Sequence, residues 1–66
     1  MTKEEFDALS EDAMVWYVYL ISDTIEHTSK ESLYHMTARD CERVHLTKQD
    51  AEDFVAFRKA QEILKQ

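Results

Sequence analysis

Neither glycine nor proline occurs anywhere in the 66 residues. Losing both removes the usual chemistry of turns and breaks, because glycine supplies left-handed backbone and proline presets a bend. Glycine-rich phosphate loops, tight glycine hairpins and Rossmann-type turns are excluded with them. Helices punctuated by capping side chains are the natural reading of such a chain.

Hydroxyl residues stand where those caps are needed. Thr2-Lys3-Glu4-Glu5 and Thr28-Ser29-Lys30-Glu31 have the form of capping boxes, in which Thr and Glu satisfy each other's orphaned backbone N–H groups. Thr37-Ala38-Arg39-Asp40 and Thr47-Lys48-Gln49-Asp50 repeat the pattern with Asp. Ser10 precedes Glu11 and Asp12, acids suited to the positive end of a helix dipole, and Leu9 and Met14 flank it at hydrophobic-staple positions. These signals predict helices over about 3–9, 11–27, 29–45 (or broken near Thr37) and 48–64. The expected fold is all-α: one domain over residues 1–66, a bundle of three to four short helices around a long second helix.

In the final helix, Phe54, Phe57, Ala60 and Leu64 form a stripe, with Ala56 and Ile63 on its shoulder and Arg58, Lys59, Glu62 and Lys65 on the other side. Leu33, Val44, Phe54, Phe57 and Leu64 are expected to pack with Met14, Val18 and Ile21 in one core.

The second helix has a surplus. Ala13 to Ile21 is an unbroken apolar run of nine residues. As a helix it sets Met14, Val18, Ile21 and Ile25 on one face and Trp16, Tyr19, Asp23 and His27 on the other. Three short helices can hardly enclose it on all sides. Either the first and third helices clasp it, or Trp16, Tyr19 and Leu20 bury against another protein, with Asp23 and Glu26 as an acidic rim. A strand over Val15–Ile21 also suits these β-branched and aromatic residues; the capping signals before it and the acids after it weigh against that. The partner-binding set on this reading is Trp16, Tyr19, Leu20, Asp23 and Glu26.

Bulk properties narrow the function classes. A chain this short buries little core and commonly needs a staple. Cys41 is the only cysteine, so no disulfide forms within the chain, and another chain becomes the leading staple. No secretory signal is evident, and a nine-residue apolar run falls short of the ~20 that a membrane-spanning helix requires. A cytoplasmic location without membrane contact is expected. Residues 1–27 set seven acids against Lys3 alone and so hold the whole net charge of −6, whereas residues 28–66 balance seven acids with seven bases. Such a field repels nucleic-acid backbones and favours basic surfaces.

Sites for chemistry are sparse. Cys41 and His45 make one half of a zinc motif, without the second pair of ligands. A Cys41–His45 nucleophile pair would lack glycine-borne backbone donors for an oxyanion hole. No cofactor, metal site or catalytic residue is assigned. Arg39 and Arg43 could serve a helix–turn–helix over residues 28–46, which makes a small nucleic-acid-binding regulator the runner-up. The preferred reading is a non-enzymatic, acidic protein-binding module: a regulator or inhibitor that occupies the surface of another protein, or a homodimer. Size and charge give it an analogy with the small factors that phages direct against host machinery.

Overall fold

The computed structural model describes residues 1–65. Its order is α1 (Lys3–Ala8), β1 (Met14–Val18), β2 (Ile25–Ser29), a 3-10 turn (Lys30–Ser32), α2 (Ala38–Cys41), β3 (Val44–His45) and α3 (Lys48–Lys65). The strands form an antiparallel sheet in the order β2-β1-β3, so the fold is α+β and the all-α bundle is overturned. The segment read as the long helix over 11–27 is instead β1, a loop and most of β2.

The physical reason lies in the nine-residue apolar run. A helix would expose part of that run on every turn, whereas a central strand buries one residue of its middle on each face, Val15 and Val18, and leaves Met14 and Tyr19–Ile21 towards its ends exposed. Alternation sends Val15 and Tyr17 to one face and Trp16 and Val18 to the other. Val15 joins Phe6, Cys41 and Val44 in a core beneath α1 and α2, with Leu9, Leu33 and Met36 packed around it. Val18 lies on the other face, which α3 covers together with β3. Both valines are 0% exposed. The result is a thin three-layer sandwich: α1 and α2, the sheet, then α3.

β1 and β2 form a hairpin without glycine. Val18 faces Ile25, Tyr19 N–H donates to the Thr24 carbonyl at 3.0 Å, and Leu20–Asp23 are left as a four-residue loop. Asp23 takes the left-handed conformation that closes it (φ 53°), and His35 does the same in the connection to α2 (φ 53°). Asp and His are among the non-glycine residues that tolerate this region best. A chain without glycine thus turns at two positions where a polar side chain stands in for it.

Three of the five start signals cap helices. Thr2 and Thr37 each make a full capping box, with Glu5 and Asp40. Thr47 Oγ1 accepts from Asp50 N–H at 3.1 Å at the head of α3. Thr28 is paired with Val15 inside the sheet instead, and the Ser10 carbonyl closes a turn by accepting from Ala13 N–H. The helix expected over 29–45 is reduced to the 3-10 turn and the four residues of α2. Lys30 ties the far end of α1 down: its ammonium donates to the Leu9 and Asp7 carbonyls at 2.7 and 3.1 Å and lies over the Phe6 ring.

The expected core is corrected in the same way. Val18 and Val44 are buried, but Met14, Ile21, Phe57 and Leu64 are exposed. Ile21, at 98% exposure, sits at the hairpin tip.

Candidate binding surface

α3 packs by its first three turns. Ala51 is buried, and Phe54, Val55 and Arg58 are half-buried against the sheet. At about 100° per residue these four share one side of the helix. The ring of Phe54 lies 5.1 Å from that of His45 and 5.5 Å from the Arg43 guanidinium.

A second apolar side is left over. Ala56, Phe57, Ala60, Ile63 and Leu64 fall within about 120° of arc, on the side of α3 roughly opposite to the packed one. All five are exposed: Phe57 at 62%, Ile63 at 72% and Leu64 at 84%, with both alanines open. The spacing 57, 60, 64 with 56 and 63 beside it is that of a helix–helix seam. Towards the N-terminus the same side turns polar, with Gln49, Glu52 and Asp53. The molecule measures 40 × 20 × 17 Å, consistent with an 18-residue helix reaching past its body.

Beside this seam runs a groove of about 340 Å³ between α2, the hairpin loop and α3. All three arginines of the chain, Arg39, Arg43 and Arg58, line it with Phe54, Phe57 and Leu20. Two of the three are already engaged. Arg58 Nη1 donates to Asp23 Oδ1 at 3.2 Å, and Arg43 Nη1 lies 3.8 Å from the same oxygen. Arg43 also donates to the Val18 carbonyl at 3.2 Å and is itself buried. This trio joins the loop, the end of α2 and α3, and its first role is to hold them together.

The five residues singled out in the sequence do not form one patch. Trp16 is half-buried on the α3 side of the sheet, between His27 and His45, and stacks on His27 with ring centroids 3.9 Å apart. Tyr19 turns to the opposite side, edge-on to Tyr17, and its hydroxyl donates to Glu26. That bond pushes the Tyr19 hydroxyl above its ordinary range. Leu20 lines the groove and is exposed, while Asp23 bonds Arg58, one of the groove's lining residues. Phe57 and Leu64, read as core, are the residues that belong to the exposed surface. Their spacing was visible, but not which side of α3 the sheet would occupy.

Cys41 and His45 are held apart. Cys41 is buried with Phe6 and Val15, where desolvation raises its thiol, while His45 shares the other face of the sheet with Trp16. Burial lowers the His45 imidazole, and its Nε2 is enclosed without a hydrogen-bond partner. Asp23 is engaged by Arg58, and His27 stacks on Trp16. Among the described residues no group of three or more His, Cys, Asp or Glu side chains could hold a metal ion, and no helix is long and apolar enough to cross a membrane. Residues 28–46 hold one four-residue helix rather than the two that a helix–turn–helix needs. No family model, no curated protein and no solved structure matches the chain.

Proposed function

We propose that this protein is a non-catalytic binding module, a small regulator or inhibitor that acts by occupying the surface of another protein. The observation that carries the reading is the second apolar side of α3. Soluble proteins scatter single apolar residues over their surfaces, but a contiguous seam at helix spacing is the mark of an interaction site. Phe57 is the natural anchor, since aromatic residues dominate interface energetics, and Leu20 extends the apolar surface across the groove. The acids of α1 lie across the sheet from α3 and favour partners with a basic surface nearby.

A photo-crosslinking residue at Ala60, on the seam, tests this in the native cell. A discrete protein adduct from position 60, absent from position 48 on the polar turn of α3, supports the reading. Equal labelling at both positions, or none, counts against it.

A further inference from the structure

All three arginines of this acidic chain line the groove between α2, the hairpin loop and α3, and none of its five lysines does. We propose that the groove is a binding site for an acidic side chain of a protein partner, received by Arg39 and backed by Arg43 and Arg58. The site stands on the arginines and is independent of what meets the apolar side of α3.

The first argument is the set of unused donors. A guanidinium presents five N–H groups in a fixed fork that matches a carboxylate two bonds at a time. Arg58 uses Nη1 on Asp23, and Arg43 uses Nη1 on the Val18 carbonyl. Among the described residues the remaining nitrogens of both make no hydrogen bond. Arg39 makes no hydrogen bond or ion pair at all, and it is exposed. Arg43 and Arg58 are held in place by the contacts that join loop and helix, so two of the three cations are fixed before any ligand arrives.

Charge selects the ligand. Three guanidinium groups against the carboxylates of Asp23 and Glu42 leave the groove with about one positive charge. The chain around it has a net charge of −6. One carboxylate balances that single charge. A phosphoryl group, at about −1.5 to −2, exceeds it. A nucleic-acid backbone would bring a row of charges that the rest of the molecule repels.

The walls argue that the carboxylate is carried on a polypeptide. An exposed ion pair contributes little by itself, so a free small anion would be held weakly. Leu20 and Phe57, each 62% exposed, also line the groove and offer apolar contact to the residues that flank an acidic side chain.

Titration of the 15N-labelled protein with the capped tripeptide Leu-Glu-Leu, its Leu-Gln-Leu twin, sodium acetate and inorganic phosphate tests the site. The three guanidinium Nε–H signals of the chain all report on the groove. The Glu peptide should move them saturably at concentrations where the Gln peptide, acetate and phosphate move none. Arg39→Gln should weaken the Glu peptide at least about fivefold, with backbone amide signals away from the groove unchanged. Lys59→Gln removes the same charge from an exposed position on α3 that does not line the groove, and should change binding less than about twofold. Equal losses from the two substitutions would reduce the effect to net charge and overturn the proposal. So would Glu and Gln peptides that bind alike, or no movement at millimolar peptide. Acetate binding as well as the Glu peptide would overturn the polypeptide source, and phosphate binding more tightly would overturn the carboxylate.

Discussion

Arg58 and Asp23, 35 residues apart in the chain, meet at 3.2 Å, and this contact fastens the hairpin loop to α3. Asp23 has two tasks there. Its backbone occupies the left-handed region that closes the loop, and its carboxylate serves Arg58 and the buried Arg43. Asn tolerates the same backbone but carries no charge. Asp23→Asn should therefore destabilise the fold by about 2–3 kcal/mol through the lost charge-assisted contacts. Asp23→Gly should lose the same contacts while relaxing the backbone. Urea midpoints for the two variants provide the check, and a wild-type midpoint in Asp23→Asn would show that the loop is not anchored by this pair.

Lys30 reaches from the end of β2 to the last carbonyls of α1. Lys30→Met keeps most of the stem over Phe6 but removes the donors. The expected cost is about 1–2 kcal/mol, with faster amide exchange in α1 than in α3. Unchanged exchange in α1 would mean that its capping box and Phe6 hold it without help.

His45 makes stability depend on acid. Burial is the main cause that lowers its imidazole below the ordinary value of about 6.5; the chain's amino terminus adds to it and Asp50 opposes it. A group depressed in the folded state is protonated first in the unfolded one. Its contribution is thus complete above about pH 6.5 and is lost as pH falls through the folded value. The urea midpoint should drop between about pH 7.5 and 5.5, and His45→Leu should drop less over the same interval. Equal slopes for the two proteins would locate the acid sensitivity elsewhere.

Phe54 and Phe57 separate the two sides of α3. Phe54→Ala should cost about 2 kcal/mol, below the range for a fully buried ring because Phe54 is half-buried. Phe57→Ala should leave the melting temperature of the dilute protein nearly unchanged. The reverse order would put Phe57 in the core, where helical periodicity alone had placed it.

What could be read from the residues divides along local and distant interactions. The starts of α1, α2 and α3 were legible because a cap is a bond between residues three apart, as in Thr2 with Glu5. Thr28 carries the same local pattern, but its ladder partner Val15 is thirteen residues away, and that pairing won. β3 is only two residues long and exists because β1 lies beside it, so no pattern of its own announced it. The apolar run around Trp16 carries too many apolar faces for a helix in a small bundle, and the helix expected there does not form. It forms a strand instead, covered on one face at Val15 and on the other at Val18. In α3 the stripe through Phe57 and Leu64 was visible as periodicity, yet the narrower set Ala51, Phe54 and Val55 is what the sheet covers. Which of two apolar sides folds and which remains outside is decided by shape, through contacts such as Phe54 with His45.

Amide hydrogen exchange along α3, measured on the dilute free protein and again with the protein captured through the crosslinking residue at Ala60, tests most directly the claim that this helix folds by one side and binds by the other. Amides of residues 51–57 should be protected to a similar degree in both states, because the sheet covers that part of the helix. Amides of residues 60–64 should exchange fast in the free protein and slow with the partner bound, as the seam becomes covered. Protection of residues 60–64 that is already complete in the free protein, or no greater with the partner bound, would contradict the account.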